Sequence, residues 1–273
     1  MTKQHISVVT LNILNDLRRW DERKDMIVSE LRHLQPDLIA LQEVKLPMNN
    51  GEWIAAQLGG YSVHLTPKHG NKHSKEEALA ILSRLPVDHF HSTSLGAQNR
   101  VAQAVQVGVD GKRVLFVNGH FFWYPGEHSQ RSQQIRVLHT WLKKHAEADP
   151  AGVVVCGDFN GTPETQAIRV MQAPLGWTQF QSAYVRKHGC EPDWTCPTPL
   201  QWRHEPWRET VFKVAGLAIQ KKRGPWRGTL DYIFVNDRVA VEECHVVFNQ
   251  HAPHDHTLYP SDHLGLHATL RIN

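Results

Sequence analysis

A layered α/β sandwich is the fold class this sequence predicts, on three observations. Strand-like apolar runs recur along the whole chain, only a few helix-period segments interrupt them, and no low-complexity linker divides them. A barrel of strictly alternating strands and helices fits less well, because the helical segments are too few.

The first strand is expected over 6–14 (ISVVTLNIL), β-branched and apolar, and stopped by Asn15-Asp16. A helix follows over 21–35, with Met26, Ile27, Leu31 and Leu34 at helical spacing and an end before Pro36. Residues 38–44 (LIALQEV) form a second strand. Further strands are expected at 78–83, 101–109, 113–120 (RVLFVNGH), 152–157 (GVVVCG), 229–235 (TLDYIFV), 241–248 and 264–272, with helices over 52–58, 130–146 and 164–172. No internal repeat accompanies them, so a single domain over 1–273 is expected. Residues 186–228 break the rhythm. They are rich in Trp, Arg, Pro and Lys with little periodicity, and read as a functional or mobile insertion, not core.

At 273 residues, 41% hydrophobic and 21% charged, the chain can bury a substantial core. A net charge of +3 permits a polyanionic substrate without demanding one. Nineteen His favour hydrolytic or metal chemistry, although most of them read as surface residues. The four Cys (Cys156, Cys190, Cys196, Cys244) show no C-x-x-C spacing and are expected as free thiols. The N-terminus carries no signal-peptide pattern and no run reaches transmembrane length, so a soluble cytoplasmic protein, a monomer, is expected.

The candidate chemistry sits where apolar strands carry an expensive polar side chain. Asn12 interrupts the first strand and Glu43, after Gln42, ends the second. Glu77 precedes 78–83, with Glu76 one residue away and able to exchange with it. His120 closes VLFVNGH, Asp158 and Asn160 follow VVVCG, Asp231 lies in TLDYIF, and Ser261-Asp262-His263 opens the last strand. Each alone reads as a turn former; eight such positions along one chain point to a site. Carboxylate and amide oxygens without thiolates favour Mg²⁺ or Mn²⁺ over zinc. The run HAPHDH (251–256) offers a zinc-hydrolase alternative, but its spacing is wrong and a polar loop is the favoured reading.

The strings LQEV, SRLPV (83–87), GDFNGTPET (157–165), LDYIFV and SDH, in this order, resemble the endonuclease/exonuclease/phosphatase superfamily over nearly the whole chain. The resemblance implies a four-layered α/β/β/α sandwich of DNase I-like type and a metal-dependent phosphoric ester hydrolase. By position, Glu43 matches the principal metal ligand, with Asn12 completing or supporting the metal site and Asp262 the terminal acid near the ion. Asp158 and Asn160 match the pair that positions water and contacts the phosphate. His263 matches the catalytic histidine, Asp231 its orienting carboxylate, His120 a second histidine and Glu77 the partner of that histidine. Arg131 occupies a position where relatives carry an Arg near phosphate, with an exposed helix charge as the equal alternative. Ser83 and Arg84 read as structural support. The implied reaction is in-line attack of water on phosphorus without a phosphoenzyme.

For substrate, Trp226 and Arg227 lie among Lys221, Lys222 and Arg223, downstream of Trp194, Trp202 and Trp207. Such cations among aromatics suit single-stranded nucleic acid, a choline or sugar headgroup, or a plain solvated loop. A nuclease or phosphodiesterase leads, a small-molecule or lipid-headgroup phosphoesterase follows, and an inactive scaffold of the same fold is the non-enzyme alternative. An AP endonuclease is disfavoured, because a Tyr is expected there at the position of His120.

Overall fold

A computed structural model describes residues 5–70, 76–146, 150–202 and 226–273. Its elements, in chain order, are β1 (His5–Asn12), α1 (Trp20–Leu34), β2 (Leu38–Lys45), α2 (Asn50–Leu58), β3 (Ser62–Pro67), β4 (Glu77–Ser83), β5 (Val87–Ser94), β6 (Val101–Val109) and β7 (Lys112–His120). Then come α3 (Ser129–Ala146), β8 (Gly152–Asp158), α4 (Gln166–Gln172), β9 (Phe180–Ser182), α5 (Ala183–His188), β10 (Asp231–Asn236), β11 (Val239–Val247) and β12 (Gly265–Ile272).

Two six-stranded sheets result, ordered β11-β12-β1-β2-β4-β3 and β5-β6-β7-β8-β10-β9. Each has one parallel pair, β1 with β2 and β7 with β8, joined through the crossover helices α1 and α3; the other pairs are antiparallel. Strand side chains alternate between faces, so a sheet covered on both sides needs continuous apolar runs. In β1, Ile6 and Val8 face the other sheet with Ile81, Phe116, Val154, Ile233 and Leu270. Val9 and Leu11 join Ile27 and Leu31 of α1 and Ile54 of α2. On the far side Leu115, Val153 and Phe234 pack with Leu138 and Leu142 of α3 and Ile168 of α4. Helix, sheet, sheet and helix thus form four layers.

Three strands and one helix escape the sequence pattern. β3 and β5 are edge strands whose side chains are mostly half-buried or exposed, so neither shows an apolar run. β9 and α5 are three and six residues long, too short for periodicity to register. Residues 186–188 of the expected insertion belong to α5, and Thr195 and Cys196 both donate backbone N–H groups to Gly228 O. Trp207, Lys221, Lys222 and Arg223 lie outside the described residues. Among the described residues no helix is long and apolar enough to cross a membrane.

Candidate active site

Sheet register does most of the assembly. In β7 and β8 His120 pairs with Asp158, and in β10 and β8 Asp231 pairs with Asp158, so three functional side chains fall in one row across adjacent strands. Gly157, one residue earlier, faces Gly119: its φ is +143°, and a Cβ there would lie 1.9 Å from the Gly119 carbonyl oxygen. Only glycine allows β7 and β8 to approach this closely just before the row begins.

The facing sheet supplies Asn12 and Glu43. Register between β2 and β4 shifts between Leu41 and Val44, and Glu43 adopts φ +62° within this irregularity. Such a bulge re-aims a side chain out of the strand alternation, and a left-handed conformation costs Glu about 1–2 kcal/mol. The carboxylate is then held by Asn15 N (2.9 Å) and by Asn12 Nδ2 (3.2 Å). Asn12 Nδ2 also donates to Asp158 Oδ2 at 3.1 Å, bridging the two sheets, while Asn12 Oδ1 accepts from Leu14 N. With its oxygen committed to the backbone, Asn12 supports both carboxylates.

His263 Nδ1 lies 2.9 Å from Asp231 Oδ2, and His263 Nε2 lies 3.9 Å from Asp158 Oδ2. Burial alone would lower the imidazole pKa, but the nearby Cys196 sulfur and the Asp231 and Asp158 carboxylates outweigh it and hold the value well above the ordinary one. His263 therefore favours its protonated form. His120 has the opposite environment: burial, then the Arg100 charge, push it down to about 4. Its Nδ1 is 2.7 Å from Arg100 Nη1, which can only donate, so the neutral ring carries its proton on Nε2, 3.4 Å from Asp158 Oδ2. Two histidines held in different protonation states around one carboxylate are the mark of an acid–base site.

Glu77 is brought to His120, as expected, but at 3.6 Å, with Arg100 and Lys68 engaging the same oxygen at 3.2 and 2.5 Å. Burial opposes its ionisation; His120, Lys68 and Arg100 together outweigh this and keep its carboxyl well below the usual range. Glu76 instead pairs with Lys45 at 3.5 Å. Asn160, at φ +50°, donates its backbone N–H to Asp158 Oδ1 (2.9 Å) and one Nδ2 proton to Phe121 O (3.2 Å).

The oxygen-rich side fits a hard divalent cation. Burial first, then the Glu77 and Asp262 charges, raise Glu43 to about 7, so its carboxylate resists ionisation without a counter-charge. Separately, Asp158, Asp231 and His263 each bring a ligand atom within 4.8 Å of the others, the one such group among the described residues. The 251–256 run gathers none: Asp255 is held by Arg19 and by Thr257 in a tight turn.

Arg131 is placed differently from its expected phosphate contact. It is fully buried, and its guanidinium donates to the carbonyls of Phe122 (3.0 Å), Tyr124 (2.6 Å) and Gly126 (2.9 Å). These bonds make it a brace for the loop that follows His120. Trp226 is half exposed against Gly228 and Thr162, two residues beyond Asn160, and the Arg227 guanidinium lies 4.4 Å over the Trp194 ring.

A sequence model of the Endonuclease/Exonuclease/phosphatase family matches residues 9–263. The chain belongs to that family. Among curated relatives, Nocturnin from Rattus norvegicus is 25% identical over 93% of this chain and 59% of its own length. 2',5'-Phosphodiesterase 12 from Bos taurus is 26% identical over 92% of this chain and 46% of its own. The chain thus spans about half the length of these relatives. Among solved structures, the human Nocturnin catalytic domain with bound sulfate anion superposes with TM-score 0.76 at 24% identity, over 99% of this chain and 96% of that one. D. rerio TDP2 complexed with single strand DNA product gives TM-score 0.75 at 18% identity, over 98% and 99%. These structural likenesses establish the four-layered fold of the Endonuclease/Exonuclease/phosphatase family for this chain.

Several residues of the site carry no motif signal strong enough to single them out. Thr195 Oγ1 donates to Asp231 Oδ2 at 2.6 Å and accepts from the Leu230 and Asp231 amides. Gln42 Nε2 donates to Asn118 Oδ1 (2.8 Å), and Asn118 Nδ2 donates to Leu41 O and Ala80 O, stapling the sheets beneath the site. Arg23, fully buried, donates to the carbonyls of Ile13, Leu14, Asp16 and Pro260 and so ties the end of β1 to the segment before Asp262. For Asn118 a signal existed, a polar residue inside VLFVNGH; for Arg23 and Thr195 none did.

Proposed function

We propose that this chain is a divalent-metal-dependent phosphodiesterase that hydrolyses nucleic acid by in-line attack of water. The observation that carries this reading is the row His120–Asp158–Asp231 with His263 bound to Asp231, facing Glu43 across Asn12. Glu43 and Asp262, with Asn12 in support, would hold Mg²⁺ or Mn²⁺, which when bound supplies the positive charge that neutralises the phosphoryl oxygens.

The protein groups divide the remaining work. Asp158, fixed by Asn12 Nδ2 and Asn160 N, orients the attacking water and accepts its proton. His263, whose protonated form is favoured by the Cys196 sulfur and the Asp231 and Asp158 carboxylates, donates to the phosphoryl oxygen as negative charge develops. His120 donates from Nε2–H in its neutral form, and the second Nδ2 proton of Asn160 is free for another phosphoryl oxygen. The new P–O bond forms from water as the bond to the leaving alkoxide, which takes its proton from solvent, breaks, with no covalent enzyme intermediate.

Nucleic acid is favoured as substrate by Trp226 and by the Arg227–Trp194 stack, groups suited to bases and phosphates. It accords with the single-stranded DNA product bound by D. rerio TDP2. Hydrolysis of bis-p-nitrophenyl phosphate beside p-nitrophenyl phosphate, with Mg²⁺ or EDTA, tests the reading. Metal-dependent cleavage of the diester, inhibited by a single-stranded oligonucleotide more strongly as salt falls, is expected. Preference for the monoester, or inhibition independent of salt, would overturn it.

A further inference from the structure

The backbone that leaves His120 is held more tightly than a connecting surface loop requires. Phe121 O accepts from Asn160 Nδ2, Phe122 N donates to Gln134 Oε1 (2.8 Å), and Trp123 N donates to Gln98 Oε1 (3.0 Å). Arg131 adds its bonds to the carbonyls of Phe122, Tyr124 and Gly126. Arg131 and Gln134 are both buried, and a buried guanidinium is a costly group to spend on loop carbonyls. What this bracing holds out is a series of three rings. Phe122 is buried, Tyr124 lies 5.4 Å from it, and Trp123 lies 4.5 Å from Tyr124 with 30° between the planes. At 51% and 49% exposure, Trp123 and Tyr124 are the most exposed large apolar side chains among the described residues. Against the same loop lies a groove of about 660 Å³ whose polar lining is Ser94, Ser129, Gln130, Gln133, Gln134 and Arg136; Gln134 belongs to both.

We propose that Trp123, backed by Tyr124, is a stacking platform for one base of a single-stranded nucleic acid whose phosphate lies in the active site. The three residues from His120 to Trp123 span at most about 11 Å, so the platform serves a nucleotide close to the reacting phosphate. The base adds a fourth ring to the series and covers indole surface that the fold leaves in water. Any base can do so, because each has a π-face. The bracing matters because rings already fixed in place lose little freedom when the ligand arrives. Amides and hydroxyls in the adjoining groove suit the polar edges of bases, and they oppose burial under the acyl chains of a lipid surface. The identity of the ligand rests on the phosphodiesterase reading above; the braced aromatic platform does not.

The test uses the whole chain with Mg²⁺ and three substrates: a short single-stranded oligonucleotide, the same strand with one abasic position moved along it, and bis-p-nitrophenyl phosphate. Trp123→Ala should lose about 5- to 100-fold in kcat/KM on the intact strand, through KM. Its kcat on bis-p-nitrophenyl phosphate and its Tm should match wild type, and Trp123→Phe should recover most of the loss. One abasic position should cost wild type a similar factor and cost Trp123→Ala nothing further. Equal kcat/KM of wild type and Trp123→Ala on the intact strand, or abasic positions that all cost the two proteins alike, would overturn the platform. Trp123-dependent binding to phosphatidylcholine vesicles, with no difference on the strand, would overturn it in favour of a lipid surface. Anisotropy of a fluorescein-labelled strand in EDTA separates the two readings. Trp123-dependent binding there, with no metal-dependent cleavage of any diester, would overturn the hydrolase reading and leave the platform standing.

Discussion

Replacing Asp231 by Asn keeps the size of the side chain and removes its charge. The 2.9 Å contact with His263 Nδ1 joins two buried groups, and at an effective dielectric of about 20 it is worth about 6 kcal/mol to the imidazolium. Thr195 Oγ1 donates to the same oxygen, so the Asn carbonyl should stay there and the amide nitrogen take the partnerless Oδ1 position. A neutral acceptor still bonds Nδ1–H and returns about 1–1.5 kcal/mol. The net loss of about 4.5 kcal/mol corresponds to about two-thousandfold in kcat. His263 would also lose its raised pKa, so the alkaline limb of the pH–rate profile should move to lower pH. The sign for stability follows from the same shift. A histidine raised above its unfolded value of about 6.5 contributes stability that is full below that value and lost as pH rises through the folded one. The deficit of the variant should therefore shrink at alkaline pH. The assay is kcat against pH on bis-p-nitrophenyl phosphate, with circular dichroism as the check on folding. Less than a tenfold loss in a folded variant, or an unmoved limb, would refute the pairing as a source of catalysis.

Other perturbations address the supports. Thr195→Val should destabilise the chain by about 2–4 kcal/mol, since two buried amides lose their acceptor, and should lower kcat through His263; Thr195→Ser should restore both. Gly157→Ala should cost about 3 kcal/mol or more, read as a lower denaturation midpoint, because its Cβ meets the Gly119 carbonyl. Glu191 is raised to about 7 by burial against a hydrogen bond from Ser182, so the folded state holds its proton between about pH 4.5 and 7. Stability then falls as pH rises through that window. Glu191→Gln should exceed wild type by about 2–3 kcal/mol at pH 8, several degrees in Tm, and match it near pH 4.

The buried strands were legible because two covered faces demand continuous apolar sequence, as in ISVVTLNIL and GVVVCG. β3 and β5 were not, since an edge strand can satisfy its backbone on one side while its side chains stay polar. At the site, side chains such as Glu43, Asp158 and His120 stood out as polar groups at the ends of apolar strands. Arg23 and Thr195 did not: Arg23 donates to main-chain carbonyls, which no residue type marks, and the partners of the Thr195 side chain lie 35 or 36 residues away. Arg131 shows the converse. Its position suggested a phosphate contact, yet its donors are spent on three loop carbonyls, a matter of backbone course that residue type does not encode.

The most direct measurement titrates Mn²⁺ into wild type and Glu43→Gln, reading bound ion by electron paramagnetic resonance and diester turnover on the same samples. Glu43→Gln should need about tenfold or more Mn²⁺ both to bind and to reach half-maximal turnover, with the two curves rising together. Identical Mn²⁺ dependence in both proteins, or diester turnover in wild type that survives EDTA, would contradict a metal-assisted site built on Glu43.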